Sequence, residues 1–126
     1  MKAIQTSLAP QAIGPYSQAI VTGDLIFCSG QIPLKPETGA VVEGGIKEQT
    51  EQVIKNLKAI LQAASVELCD VVKTEVFLTD MANFSLMNEV YSQNFISQPY
   101  PARATVEVSH LPKDVLIEIS CIACRK

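Results

Sequence analysis

The chain has 126 residues, of which 48% are hydrophobic and 18% charged, and a formal net charge of −3. At roughly 150 residues per domain this predicts one domain, residues 1–126, with enough core to fold without disulfide or metal staples, and it excludes a disordered chain. The acidic balance argues against a nucleic-acid partner, which takes a clustered basic face, and no apolar run approaches the roughly 18 residues of a membrane span.

In chain order, Met1 to Pro10 lacks the apolar stretch of a secretory signal. Ala19–Val21 and Leu25–Ser29 read as strands joined through Thr22-Gly23-Asp24. Gly44-Gly45 lacks the spacing of a phosphate-binding loop and reads as a turn into a helix. From Ile46 to Ala64 the apolar residues Ile46, Val53, Ile54, Leu57, Ile60, Leu61 and Ala64 recur at helical spacing, with Lys55, Lys58 and Gln62 off the stripe. Val71–Leu78 alternates as a strand, with Val72, Val76 and Leu78 on one face and Lys73, Glu75 and Phe77 on the other. Phe84, Met87, Tyr91 and Phe95 mark a second helix over Asn83–Phe95, capped by Asp80 or Asn83 and ended by Pro99 and Pro101. Ala104–Val108 and Val115–Ala123 are further alternating strands.

The order β-β-α-β-α-β-β predicts an α+β domain of two layers, with two helices on one sheet face. The other face is then mixed. It is expected to carry Phe77 and Ile122 beside Lys73, Glu75, Arg103, Thr105, Glu107, Glu118 and Ser120. A half-apolar open face is either a solvated surface or an oligomer surface.

Few residues can carry chemistry. Arg103 is one of only two arginines and begins a strand. Its planar fork suits a carboxylate, although spacing alone favours a pairing with Glu107 or Glu75. Glu118 lies mid-strand, where a carboxylate is solvated, paired, or set to orient water or a proton. Asn88 and Tyr91 are one helical turn apart, and Tyr91 reads most simply as core. Tyr16 follows Gly14-Pro15 in a loop. Cys121 and Cys124 form a C-x-x-C on a strand, where they face opposite sides and cannot grip one ion or pair. His110 is the only histidine, which excludes a multi-histidine metal site. Cys28, Cys69, Cys121 and Cys124 read as reduced thiols of a cytoplasmic protein.

Several stretches together resemble the RidA/YjgF family. They are Ala12 to Ala19, Ser29-Gly30-Gln31-Ile32-Pro33, Val72-Lys73-Thr74, the Phe84, Asn88, Tyr91 spacing, Pro101-Ala102-Arg103, Val106-Glu107-Val108, Leu111-Pro112-Lys113-Asp114 and Ile117-Glu118-Ile119. The resemblance covers nearly the whole chain.

It implies a chorismate-mutase-like fold and a homotrimer with active sites in clefts between subunits. The activity it implies is hydrolysis of 2-imino acids, such as 2-iminobutanoate and 2-iminopropanoate, to 2-keto acids and ammonia, without a cofactor or a metal. These imines are released by pyridoxal-phosphate-dependent dehydratases. On that resemblance Arg103 binds the substrate carboxylate and Glu118 handles the water and its protons, the two being the catalytic pair. Gly30 allows close backbone approach, Tyr16 closes the cleft, and Asn88 and Thr105 supply polar contacts. Thr105 stands where many RidA proteins have cysteine, which bears on substrate preference more than on the reaction. Two other functions stay open: a trimeric module that binds small carboxylates without turnover, and a holdase-like protective protein. A nuclease role, suggested for relatives, fits the acidic charge least.

Overall fold

Apolar residues at helical spacing make Ile46–Ala63 the longer helix, α1, and Phe84–Asn94 the shorter one, α2, in a computed structural model that describes residues 1–126. The strands are β1 (Lys2–Ile4), β2 (Ala19–Thr22), β3 (Leu25–Gln31), β4 (Val71–Leu78), β5 (Ala102–Glu107) and β6 (Ile117–Cys124). They form a six-stranded sheet in the order β1-β2-β3-β6-β4-β5. The α+β class and the two-helix layer are as expected. The chain order gains a strand, because β1 is three residues long and too short to show a period.

Topology puts both helices on one side. β4 and β5 are parallel neighbours, so the chain between them must cross over, and α2 is that crossover. β3 and β4 are both antiparallel to β6, which lies between them, so α1 makes the same kind of crossover. The core fills the space between the helices and the sheet. Val53, Leu57, Ile60 and Leu61 of α1 meet Ile26, Val76, Leu78, Ile117 and Ile119 of the strands, all without solvent exposure. Each such side chain contributes about 2 kcal/mol on burial.

Polar groups anchor this layer at points that hydropathy does not reveal. Buried Gln49 of α1 accepts the Leu116 amide at 2.8 Å, and buried Asn56 donates to the Leu34 carbonyl at 3.0 Å. Gly45 is the N-cap of α1, its amide bonded to Glu48 Oε1 at 2.8 Å. Gly44 has φ +111°, and a Cβ there would fall 2.6 Å from Glu48 Cγ, so both backbone and space call for glycine. Arg125 donates to the Ala64 carbonyl at the end of α1 at 3.0 Å, which gives the second arginine a capping role. Asp80 caps the short turn Met81–Asn83 ahead of α2 through the Ala82 amide, while Asn83 makes no cap bond.

Two expectations about sheet faces are corrected. Val72 is 48% exposed, while Val71 is buried, because the β4–β6 register shifts between Val71 and Lys73. Arg103, Thr105 and Glu107 do share one side of β5, but it is the helix side: they sit in register with Thr74, Val76 and Leu78, whose side chains are buried beneath the helices. The open face instead carries Phe27, Phe77, Val106 and Ile122 with Glu75 and Glu118, and no helix covers it. Cys28 and Cys121 are buried cross-strand partners. The neighbouring Cys28 thiol, and then burial, push the Cys121 thiol well up. Cys124 faces away from Cys121, as its place on the strand requires.

Candidate active site

Arg103 is held in a set orientation with its fork left open. The β4–β5 register places it beside Thr74, at the sheet edge beneath α2. Phe84, Asn88 and Tyr91 recur at helical spacing on α2 and so present one face to it. Arg103 Nη1 donates to Asn88 Oδ1 at 2.7 Å. Its Cζ lies 4.7 Å from the Tyr91 ring centroid and 5.6 Å from that of Phe84.

The acid partners suggested by spacing do not form. Glu75 faces the opposite side of the sheet, and Glu107 accepts the Met81 amide at 2.8 Å. The ion pairs in the chain are Lys47–Glu89 and Lys126–Asp70. A guanidinium carries five N–H donors, and Arg103 gives one bond, to Asn88. The remaining donors face a cleft of about 450 Å³ bounded by Asn88, Tyr91, Phe95, Tyr100 and Pro101. An unpaired, pre-oriented fork of this kind is suited to a carboxylate. Thr105, two residues along the same side of β5, has a buried hydroxyl with no hydrogen-bond partner.

Glu118 lies elsewhere, on the open face of β6 opposite Phe77. Its carboxylate sits against Gly30 of β3, where a Cβ would come within 2.8 Å of the carboxyl carbon. Glycine at this position makes room for the acid. Partial burial raises the pKa of Glu118, and it forms no ion pair. Such a carboxylate takes up and returns protons closer to neutrality than an exposed one.

Tyr16 belongs with this second group by connection. The next residue, Ser17, accepts the Ser29 hydroxyl through its carbonyl at 2.6 Å, which ties the Tyr16 loop to β3 beside Gly30. The phenol is 53% exposed, accepts the Ile13 amide at 3.4 Å and borders a groove of about 200 Å³ with Gln11, Ser17 and Gln18.

The six residues singled out from the sequence therefore fall into two groups. Asn88, Arg103 and Thr105 sit on the helix side at the β5 edge. Tyr16, Gly30 and Glu118 sit around β3 and the open face. Gly30 and Arg103 are three strands apart, about 14 Å at ordinary strand spacing. The expectation of an acid and an arginine on one sheet face is thus not met within one chain. Sequence reasoning missed Thr74 and gave Tyr91 only a core role. The signal for Tyr91 was its place three residues after Asn88 and seven after Phe84, on one helix face.

His110 is exposed in the loop before β6, and no three of the His, Cys, Asp and Glu side chains cluster as metal ligands. No helix is long and apolar enough to cross a membrane.

Residues 6–125 match the family described as Endoribonuclease L-PSP. The chain is 58% identical over 123 residues to a RutC family protein of Pyrococcus abyssi, covering 98% of this chain and 96% of that one. It is 48% identical over 120 residues to the chloroplastic Reactive Intermediate Deaminase A of Arabidopsis thaliana, covering 95% of this chain and 64% of that one. Among solved structures it is similar to Escherichia coli TdcF with bound serine, at a TM-score of 0.95 and 44% identity, with each chain covered in full.

Proposed function

The chain belongs to the RidA/YjgF family, and from that premise we propose that it is a deaminase that hydrolyses 2-imino acids, 2-iminobutanoate and 2-iminopropanoate among them, to 2-keto acids and ammonia. The observation that carries this reading is the Arg103 guanidinium. It is oriented by Asn88 and two rings and is free of any acid partner. A 2-imino acid carries a carboxylate next to its C=N bond, and a bidentate Arg–carboxylate pair fixes both the position and the plane of that carboxylate. The relative solved with bound serine held a molecule with the same α-carboxylate.

Water adds to the C=N carbon while Glu118 takes one of its protons and passes it to the imine nitrogen, which gives the carbinolamine. In the collapse Glu118 takes the hydroxyl proton and passes it to the same nitrogen, so that the C–N bond breaks and the 2-keto acid and ammonia leave. A carboxylate with a raised pKa serves both transfers. Because Arg103 and Glu118 lie on opposite faces of one chain, the active site takes its arginine from one copy and its glutamate from another. A homotrimer built on the half-apolar open face is the assembly this reading requires. Gly30 leaves space for the glutamate, Tyr16 closes the cleft from the same side, and the Thr105 hydroxyl, buried without a partner in the single chain, bonds substrate by turning toward the cleft.

The test couples the protein to a pyridoxal-phosphate threonine dehydratase and traps residual 2-iminobutanoate with semicarbazide. Wild type is expected to lower semicarbazone formation, and Arg103→Ala, still folded and assembled, to leave it unchanged. A wild type with no effect at high concentration removes hydrolysis of this imine and leaves a carboxylate-binding module.

A further inference from the structure

We infer that Tyr91, pinned by Thr74, is a positioning residue that sets the plane of the Arg103 guanidinium. This rests on the reading of Arg103 as carboxylate anchor and adds to it the part of the fold that orients the anchor.

Of the three groups around Arg103, Asn88 and Tyr91 constrain different motions. Asn88 Oδ1 holds one edge through Nη1 at 2.7 Å, a contact about which the fork can still swing. The guanidinium carbon lies over the Tyr91 ring, with Cζ 4.7 Å from the centroid. A hydrogen bond at one edge and a ring contact at the carbon together restrict both the swing and the tilt of the fork. A fork already in its binding plane loses less freedom when a carboxylate arrives.

The ring is fixed in turn from both sides. Tyr91 is 7% exposed and stacks on Phe95 at 4.3 Å between centroids and 23° between planes. Its hydroxyl meets Thr74 Oγ1 at 2.7 Å. Thr74 is fully buried on β4, where the residues that follow on the same side, Val76 and Leu78, are apolar. Thr74 is also the register neighbour of Arg103. The ring that supports the guanidinium is therefore tied to the strand residue paired with that same arginine, which closes a loop from Arg103 through Tyr91 and Thr74 back to Arg103. Burial raises the phenol pKa, so the ring stays neutral and the contact is cation–π rather than an ion pair.

The test compares Tyr91→Phe, Thr74→Val and Tyr91→Leu with Val90→Ala, a buried α2 variant outside the hydrogen bonds and ring contacts of this set. Three readouts are taken: Kd for 2-oxobutanoate by calorimetry, KM and kcat for 2-iminobutanoate, and Tm. Losing the hydroxyl pair in Tyr91→Phe or Thr74→Val is expected to weaken keto-acid binding about five-fold, the equivalent of one hydrogen bond. KM rises by the same factor, and kcat stays near wild type. The Thr74→Val/Tyr91→Phe double variant is no weaker than either single one, because the pair acts as a unit. Tyr91→Leu, which also removes the ring face, loses about ten-fold or more. Val90→Ala lowers Tm and leaves Kd unchanged.

Tyr91 variants that lower Tm as Val90→Ala does, with Kd and KM at wild-type values, overturn the inference and return Tyr91 to the core. A wild type that binds 2-oxobutanoate without hydrolysing imine, with the variants weakened, removes the deaminase reading and keeps the positioning role. A wild type that binds no 2-oxobutanoate and hydrolyses no imine removes both.

Discussion

Arg103 and Glu118 point to opposite faces of one sheet from strands two places apart. Arg103 is level with buried Thr74 under the helices, and Glu118 is level with Phe77 on the open face. Two strands across at about 4.8 Å and three residues along at about 3.3 Å, their backbones are roughly 14 Å apart before the sheet itself separates the side chains. No rotamer of either residue brings them to one substrate.

The first prediction follows from that separation. Arg103→Ala and Glu118→Gln homo-oligomers are each expected to lack imine hydrolysis. Unfolded together in equal amounts and refolded, they form mixed assemblies in which about a quarter of the inter-subunit sites combine an intact arginine with an intact glutamate. Activity near a quarter of wild type is therefore expected. Recovery of none means that both residues act from the same chain, and activity in either homo-oligomer alone means that the residue it lacks is not required.

Arg103→Lys is predicted to fail as a conservative change. Lysine keeps the charge but loses the planar fork, and an ammonium does not reproduce an edge bond to Asn88 together with a guanidinium carbon over the Tyr91 ring. A fall in kcat/KM of about 10²-fold is expected, carried mostly by KM because the lost contact is to the substrate carboxylate. Steady-state kinetics with the dehydratase-coupled assay measures it.

Glu118→Gln is predicted to raise stability at neutral pH while removing turnover. Burial raises the folded-state pKa of Glu118 above its unfolded value, so the folded chain holds this proton more tightly than the unfolded one. Stability is then lost as pH rises from the ordinary carboxylate range through the raised folded value. Above that window the ionised form is a liability that glutamine lacks. Thermal melts against pH should show wild type and Glu118→Gln alike in acid and the variant higher near neutrality. Melts that differ by the same amount at every pH count against a raised pKa.

Gly30→Ala tests the clearance under the carboxylate. Gly30 has no positive φ, so its backbone accepts alanine, and the new Cβ meets the Glu118 side chain. Glu118 is half-buried and can swing aside, so Tm is expected to change by only a few degrees, about 1 kcal/mol or less. Imine hydrolysis is expected to fall at least ten-fold, chiefly in kcat, because the proton-handling group is displaced. Unchanged kcat removes Glu118 from the reaction as positioned.

Much of the scaffold was legible before any fold was known. The helical spacing of Val53, Leu57, Ile60 and Leu61, and the alternation of Ile117, Ile119, Cys121 and Ala123, are local signals, and the chain buries those residues. The short motifs around Gly30, Arg103 and Glu118 pointed to the family that the comparisons show. Less local features were not legible. β1 is too short for periodicity, and Val72 is turned outward by a register shift that depends on how β4 meets β6.

The side on which Arg103 emerges was decided only by the tertiary structure. Alternation in Ala102 to Glu107 states that Arg103, Thr105 and Glu107 share a face, and that reading is correct. It does not state which face is interior: the apolar set Ala104, Val106 and Val108 suggests the inner side, yet Val106 lies on the open face level with Phe77. The answer came from β5 pairing in parallel with β4, level with buried Thr74. A strand's own period of two relates its residues to one another, and only a partner strand in register relates them to the core.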